Sequence, residues 1–464
     1  MDAGQSANIP IRCKGEDYDT KANYADLIYT SSNPSVAVVN TEGAVTAVSP
    51  GLAEISVNSC NDETHNLCVR VYEDGFVKYT NPTGRRLPVM GWYSLMPPYM
   101  TAGRYREMAE AGFNISFSHV WSHEQNLAAL EAAKGSGVKL LLSDLAGAKR
   151  SEESIRQMVN GYTSNETLAG YWLSDEPAVS ATSSNAITVT ESCKWNSIIR
   201  SIDSKALTYL NLLPDYSSAK WWGTSTFADY IQRCFESLNT NFISFDYYPI
   251  DKSSLRPSFY SCLENYRKYC ERYAIPLWAF AMSTRHRTYP LPTAGHLRFE
   301  IYTALAFGAQ GIQYFTYQAP SGTVEPFYEA PIDAEGNRTV IYDYAKEINA
   351  ELSALSECFL GAFSAGRMFT GTTPPAMNKF AYNADKLPAG INSVSAEGAG
   401  VLLSHLVNGA NEYFMMVNRD FEGSQSVSIE FEGRLLRVLK DASTTDAERN
   451  FTLEAGDMAL FKLR

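Results

Sequence analysis

The sequence lacks the features of a nucleic-acid-binding or membrane-spanning protein. Acidic residues outnumber basic ones by 51 to 39, the net charge is -12, and no basic cluster is longer than a dipeptide or so. Binding to phosphates needs a basic surface, so we expect no nucleic-acid partner. No apolar run reaches the roughly 18 residues of a membrane span, so we expect no transmembrane segment.

Cysteine and histidine motifs are also missing. The eight cysteines form no C-x-x-C pair and no His-paired spacing, so we expect neither a metal nor another cofactor. Cys60 and Cys68 flank a predicted hairpin loop, where they either form a disulfide or remain buried thiols. The stretch from Met1 to Ser6 has neither the basic nor the apolar region of a signal peptide, so none is made or one has been removed.

What the chain does contain is a large folded core. Hydrophobic residues make up 45% of its 464 residues and charged ones 19%, which excludes disorder. At about 150 residues per domain this length predicts two to four units, although a (β/α)8 barrel uses about 250 residues as one. Aromatic residues reach 12%; core packing explains most of them, and Tyr and Trp also form platforms for sugar rings.

The first 75 residues read as short strands separated by turns such as Pro50-Gly51, which predicts a small β-sandwich. Two segments closely resemble the group 2 bacterial Ig-like domain, residues 31–39 with the sequence SSNPSVAVV and residues 43–55 with the sequence GAVTAVSPGLAEI. The resemblance implies a bacterial protein that is secreted, periplasmic or on the outer cell surface.

From about residue 76 to 363 a strand is followed by an amphipathic helix eight times, which predicts a TIM barrel. Residues 364–464 regain the alternation of strands and predict a C-terminal antiparallel β-sandwich. Polar and aromatic residues recur where the barrel strands end, and in a parallel barrel these ends meet at one mouth. They are His119, Trp121, Asp144, Asp175, Glu176, Asn211, Asp246, Tyr247, Tyr248, Tyr317 and Gln318.

The fourth strand, GYWLSDEP, ends abruptly at Asp175-Glu176-Pro177. A carboxyl group on rigid backbone beside apolar walls has the raised pKa that general acid catalysis needs. This motif resembles the strand-four signature of clan A glycoside hydrolases, and residues 242–249 and 304–317 resemble strands six and eight of such proteins. The resemblance implies a glycosidase acting on an oligosaccharide or polysaccharide, with Glu176 as general acid/base.

One departure concerns the second carboxylate. Retaining enzymes of that clan have a nucleophilic Glu at the end of strand seven, whereas residues 277–284, LWAFAMST, contain none. We rank Asp246 first as the replacement because a strand end fixes geometry better than a loop. It would suit the carboxyl separation of about 6.5 to 9.5 Å in inverting enzymes. Glu325, Glu329 and Asp175 are alternatives, and the rival function is a barrel that binds glycan without cleaving it.

The remaining candidates are predicted to bind substrate. Each aromatic residue among them either stacks on a sugar ring or packs in the core. Each polar residue either contacts substrate or has a structural role. Asp246 also has a structural alternative, in which it only accepts hydrogen bonds. The set comprises Trp92, His119, Trp121, Asp144, Asp175, Asn211, Tyr247, Trp278, Tyr317 and Gln318. Arg285, His286, Arg287 and His296 follow strand seven, where they form a solvated loop or meet an anionic sugar.

Overall fold

A computed structural model describes residues 1–9, 27–58, 64–73, 78–144, 151–181, 187–323 and 326–463. The chain divides into two compact units. The first comprises Met1–Lys78 and Lys268–Pro276, and the second comprises Tyr79–Arg267 and Leu277–Arg464.

The first unit contains two antiparallel sheets, one ordered β1-β4-β3 and the other β2-β5-β6. Alternation along β5 buries Ala53, Ile55 and Val57 while Glu54 faces solvent, as expected for a strand with one covered face. Cys60 lies outside the described residues, so the Cys60–Cys68 bridge stays a prediction. The strands are β1 (Ser6–Asn8), β2 (Ile28–Ser31), β3 (Ala37–Val39), β4 (Ala44–Ala47), β5 (Gly51–Asn58) and β6 (Thr64–Val71).

The second unit begins with a closed barrel of eight parallel strands, which confirms the predicted TIM barrel. Its strands, in chain order, are β7 (Val89–Trp92), β8 (Ile115–Phe117), β9 (Lys139–Leu142), β10 (Leu168–Asp175), β11 (Leu207–Leu212), β12 (Ile243–Phe245), β15 (Leu277–Met282) and β16 (Gly311–Phe315). Between β12 and β15 lies a small hairpin formed by β13 (Ile250–Asp251) and β14 (Ser254–Leu255).

Helices follow the barrel strands, and seven of them begin at a Ser or Thr whose hydroxyl accepts a backbone N–H of the first turn. The helices are α1 (Ala102–Glu110), α2 (His123–Ala133), α3 (Glu152–Tyr162), α4 (Val189–Ile202), α5 (Ala219–Trp222), α6 (Phe227–Ser237), α7 (Phe259–Arg272), α8 (Ala294–Ala306), α9 (Val340–Ala354) and α10 (Ser356–Phe359). None of the helices in the described ranges is long and apolar enough to cross a membrane.

The barrel interior is filled by large side chains, including Trp278, Tyr209 and Phe242, which are fully buried. Gly170 in β10 shows how closely the strands approach. A Cβ at this position would lie 1.9 Å from the carbonyl oxygen of Leu207 in β11. Only glycine therefore lets β10 lie against β11 with the register that brings its last residues to the mouth.

The last hundred residues form two antiparallel sheets, ordered β17-β19-β20-β25-β22-β23 and β18-β21-β24, that share one hydrophobic core. This confirms the predicted C-terminal sandwich. The strands are β17 (Phe363–Phe369), β18 (Ile391–Ala396), β19 (Val401–Asn408), β20 (Asn411–Asn418), β21 (Gln425–Phe431), β22 (Leu436–Val438), β23 (Thr444–Asp446), β24 (Asn450–Leu453) and β25 (Met458–Lys462). Two short 3-10 helices, Asn378–Phe380 and Ala384–Lys386, connect β17 to β18.

Charged groups join this sandwich to the barrel helices. Lys440 lies 2.7 Å from a carboxylate oxygen of Glu351 on α9 and 2.6 Å from one of Asp457. His296 on α8 lies 2.7 Å from Glu422 of the sandwich. His296 therefore contacts the C-terminal sandwich rather than the mouth where an anionic sugar would bind.

Glu300 on α8 makes the stability of the barrel depend on pH. Its carboxylate accepts the backbone N–H of Met282 at 2.7 Å, and burial raises its pKa from 4.5 to about 8. The folded protein thus binds this proton more tightly than the unfolded chain, and this contribution to stability, complete below pH 4.5, is lost as pH rises to about 8. Because Glu300→Gln keeps an acceptor without a charge, we expect it to melt a few degrees above wild type at about pH 9 and close to wild type at about pH 5.

The control is Glu335→Gln, which changes an exposed carboxyl in the loop before α9. Its melting curve should follow the wild type at both pH values. If Glu300→Gln gave the same difference at both, the buried carboxyl would not be the source of the pH dependence.

Candidate active site

Three carboxyl groups meet at the mouth of the barrel. Asp175 is the last residue of β10, and Glu176 follows it with φ of 48°, a left-handed conformation that turns the chain away from the strand. The Glu176 N–H donates to the carbonyl oxygen of Asn211 on β11 at 2.9 Å. Asp246 directly follows β12. The fourth and sixth barrel strands thus present acids on either side of the fifth.

Asn211 connects the two aspartates. Its Nδ2 donates to Oδ1 of Asp175 and to Oδ1 of Asp246, both at 3.0 Å, so these oxygens lie at most about 6 Å apart. Its own Oδ1 accepts the hydroxyl of Ser244 at 2.8 Å, which fixes the orientation of the amide. Asn211 is therefore a buried bridge within the carboxyl cluster.

The protein around the mouth raises the pKa of all three carboxyls. Glu176 and Asp175 remain exposed at the open mouth, but the surrounding walls remove much of their hydration. Burial and the neighbouring charge of Asp175 raise the pKa of Glu176 to about 7. Burial raises that of Asp175 to about 6, against the hydrogen bond from Asn211. Burial and both neighbouring acids raise the pKa of Asp246 well above its usual value.

Asp246 and Glu176 also influence each other's pKa. The charge of Glu176 raises the pKa of Asp246, and a hydrogen bond from Asp246 acts to lower that of Glu176. The two carboxyls therefore interact directly, and the separation of about 6.5 to 9.5 Å expected for an inverting pair stays a prediction.

Aromatic rings form a wall of the mouth next to the carboxyls. His119 packs against Tyr93 with centroids 4.4 Å apart and against Trp92 at 5.3 Å. Burial lowers the pKa of His119 to about 4, so its imidazole is neutral at physiological pH. Burial and the charge of Asp175 raise the pKa of the Tyr93 phenol, so Tyr93 lies close enough to the carboxyl cluster to interact with its charge.

Several of the residues predicted from sequence lie elsewhere. Asp144 accepts hydrogen bonds from Asn126 and Tyr162, which hold it against helices α2 and α3. Trp278 and Tyr317 are completely buried and leave no face on which a sugar could stack. We therefore omit these two aromatic rings from the proposed site.

The other predicted residues surround the mouth or support it. The Tyr247 hydroxyl lies 2.9 Å from that of Ser258, and Gln318 accepts the backbone N–H of Met96 at 3.4 Å. Trp121 is largely exposed. Glu329 pairs with Arg285 at 3.2 Å. Glu325 lies outside the described residues.

Sequence reasoning missed a second aromatic cluster beside Asp246. Tyr248 packs against Tyr289 with centroids 5.6 Å apart, and the Arg256 guanidinium lies 4.4 Å from the ring centroid of Tyr216. Arg256 pairs with Asp251 at 3.0 Å. Tyr248 was among the strand-end residues named from the sequence, but Tyr216, Arg256 and Tyr289 come from three different loops, and no spacing rule connects them.

No group of three or more His, Cys, Asp and Glu side chains in the described part of the chain has the geometry of a metal site.

The closed parallel barrel thus brings acids from the ends of its fourth and sixth strands to one mouth. Residues 14–66 match the family described as bacterial Ig-like domain (group 2), and residues 196–355 match the glycoside hydrolase 42 family, described as β-galactosidase. These two matched segments confirm both resemblances, to a group 2 bacterial Ig-like domain and to a TIM-barrel glycosidase. No curated protein matches the chain.

Solved structures share the fold at low identity. The β-galactosidase from Bacillus circulans sp. alkalophilus is 9% identical with a TM-score of 0.59, and the alignment covers 82% of this chain and 99% of that one. A catalytic mutant of a family 42 β-galactosidase from G. stearothermophilus is 9% identical with a TM-score of 0.58, covering 83% and 99%. The β-galactosidase from the psychrophilic Marinomonas ef1 is 10% identical with a TM-score of 0.44, and the alignment covers 59% of this chain and 60% of that one.

Proposed function

We propose that this protein hydrolyses β-galactosidic bonds in an oligosaccharide or polysaccharide, with Glu176 as the general acid. The observation that carries the proposal is the carboxyl cluster of Asp175, Glu176 and Asp246 around Asn211 at the barrel mouth. The family match on residues 196–355 supports the choice of galactoside. The group 2 Ig-like domain supports action outside the bacterial cell.

Glu176 has the properties that a general acid requires. With a pKa of about 7, about half of the Glu176 carboxyls carry a proton at neutral pH, far more than at the ordinary value of 4.5. It donates this proton to the glycosidic oxygen while the bond from that oxygen to the anomeric carbon breaks, and the bonding electron pair leaves with the oxygen. The sugar is left with oxocarbenium-like character, and water supplies the new C–O bond.

Asp246 is proposed as the second carboxylate. This role requires that the negative charge shared by the two interacting carboxyls lie on Asp246 while Glu176 holds the proton. Ionised Asp246 would then take one proton from the attacking water, so that the pair ends with the proton on Asp246 instead of Glu176. Its position directly after a barrel strand and the hydrogen bond from Asn211 support this role. Asp175, held by the same amide, is proposed to orient substrate hydroxyls and to keep the pKa of Glu176 high through its charge.

A second candidate function is glycan binding without cleavage. It is favoured by strand β15, whose six residues are all buried and end at Met282. No carboxyl group projects from this strand at the place where the resemblance implies a nucleophile.

Turnover by the wild-type protein tests the proposal. We expect release of galactose from an aryl β-galactoside and from soluble β-1,4-galactan, with a rate that falls as pH rises through about 7, because Glu176 must be protonated. Sugar release can be measured across the pH range by chromatography.

Binding of galactan with no release of sugar at any pH would contradict the hydrolytic function and support the binding barrel. A rate that is constant from pH 5 to 9 would remove Glu176 from the role of general acid.

A further inference from the structure

Two tryptophans are exposed on the loops at the carboxyl ends of the barrel strands. Trp121 follows β8 and is 59% exposed, and Trp221 follows β11 and is 58% exposed. Leaving a large indole ring in water forgoes the free energy that its burial would contribute. Both rings lie on the same end of the barrel as the carboxyl cluster, since active-site loops of a TIM barrel follow the carboxyl ends of its strands.

The fold holds Trp221 in a fixed position at the rim of the mouth. Its neighbour Trp222 is buried, and the indole N–H of Trp222 donates to the carbonyl oxygen of Pro214 at 3.1 Å. The carbonyl oxygen of Trp222 accepts the N–H of Val179 at 2.9 Å, three residues after Glu176. Trp221 is thus tied to the loops that follow both the fourth and the fifth strand.

Gly223 completes this attachment. It has φ of 67°, and a Cβ there would lie 2.6 Å from the carbonyl oxygen of Ser180. The glycine lets the chain turn directly after Trp222 and pack on the loop beyond Glu176. Since the backbone on the C-terminal side of Trp221 is fixed, the exposed ring loses little further backbone freedom when a ligand binds.

Trp121 is fixed in a similar way between two anchored neighbours. The carbonyl oxygen of Val120 accepts hydrogen bonds from Asn126 and Ser143, both at 3.1 Å. Ser122 is the N-cap of α2. Trp121 lies two residues from His119, so its Cα is within about 7 Å of the Cα of that wall residue. The backbone of Trp121 therefore lies close to that of the aromatic wall.

The charge of the mouth limits which ligand suits these rings. Asp175, Glu176 and Asp246 present three carboxyls there, and Arg256, the cation described beside Asp246, is already paired with Asp251. At the mouth these carboxyls would repel an acidic sugar. At the rim, Lys220 Nζ lies 5.4 Å from the centroid of the Trp221 ring, so a cation already lies over that indole. The exposed remainder of the ring can stack on the axial C–H groups of an uncharged sugar. The features thus fit a chain of neutral sugars.

We propose that Trp121 and Trp221 bind sugar rings of a neutral glycan chain outside the mouth, so that the preferred substrate is a long oligosaccharide rather than a disaccharide. This inference rests on the proposed hydrolase function. It predicts that the rim contributes to binding only when the chain extends beyond the sugars held by the carboxyl cluster.

The test compares kcat/KM for galactobiose and galactopentaose in the wild type, in Trp121→Ala, in Trp221→Ala and in the double variant. We expect each alanine change to raise KM for galactopentaose by about 2- to 10-fold, with little effect on kcat or on galactobiose. Trp221→Phe should retain most of the affinity, because it keeps an aromatic face. Phe363→Ala serves as the matched control, since Phe363 is 51% exposed on β17 of the sandwich.

Equal kcat/KM for the two oligosaccharides in the wild type, or an unchanged preference for galactopentaose in the double variant, would overturn the inference while leaving the hydrolase function intact. Absence of galactoside cleavage by the wild type would instead reject the function on which it rests. The oligomeric states of the wild type and the double variant are compared by sedimentation. If the wild type were an oligomer and the double variant a monomer with the same chain-length preference, the two rings would belong to an interface between copies, and the inference would be wrong.

Discussion

Glu176→Gln is expected to lower kcat/KM for an alkyl or unactivated aryl β-galactoside by about 100- to 10,000-fold, the usual contribution of a general acid. Glutamine has nearly the same shape and keeps an oxygen at the same place, but it has no proton to donate. The fall with pH near 7 should also disappear, because the titrating group is gone. Initial rates over a range of pH measure both effects.

Leaving groups of different basicity separate this chemical role from a structural one. A dinitrophenyl galactoside leaves as a stable anion and needs little protonation, so Glu176→Gln should lose much less activity on it. Glu335→Gln is the matched control, since Glu335 is an exposed carboxyl in the loop before α9. Equal losses on both leaving groups, or a comparable loss in Glu335→Gln, would argue against Glu176 as the acid.

Asp246→Asn is expected to lower kcat/KM by about 100- to 10,000-fold, because an amide cannot take a proton from water. Asparagine keeps the oxygen that accepts the hydrogen bond from Asn211, so the carboxyl cluster should remain folded. Azide attacks the sugar without losing a proton, so it needs no base. Added azide should therefore restore turnover in Asp246→Asn, with a galactosyl azide as the product. Rates with and without azide, together with the configuration of the product, measure this role.

Asp215→Asn provides the control for Asp246→Asn. Asp215 accepts the Ser258 hydroxyl at 2.9 Å in the neighbouring loop and has no contact with Asn211 in the described part of the chain. Its activity should remain within a few fold of wild type. If azide left Asp246→Asn inactive while its melting temperature matched the wild type, Asp246 would not be the base, and Asp175 would become the leading alternative.

The domain plan could be predicted from the sequence because it depends on local periodicity. Alternating residues such as Ala53, Ile55 and Val57 bury one face of a strand whatever lies beyond it. Strand and helix patterns repeated eight times leave few other closed arrangements. The repeated strand and helix pattern thus predicts a barrel without any knowledge of side-chain positions.

The site was only partly predictable. Glu176 and Asp246 follow strands that can be recognised from sequence, so their meeting at one mouth follows from parallel strand direction. Tyr216, Arg256 and Tyr289 come from loops, whose paths depend on contacts between residues far apart in the chain. Trp278 and Tyr317 were candidates because aromatic residues near strand ends suit both sugar binding and packing, and burial alone separates the two.

By itself the sequence determined the order of N-terminal strands, barrel and C-terminal strands, the eight strand ends and the presence of acids at the fourth and sixth of them, because these follow from patterns within a few residues. Only the tertiary structure decided which neighbours those acids have. It placed Asn211 between Asp175 and Asp246, brought Asp246 and Glu176 close enough to shift each other's pKa, and exposed Trp221 beside a buried Trp222. The physical reason is that pKa, hydrogen bonding and exposure depend on all groups within a few ångströms, and most of those groups are distant in sequence.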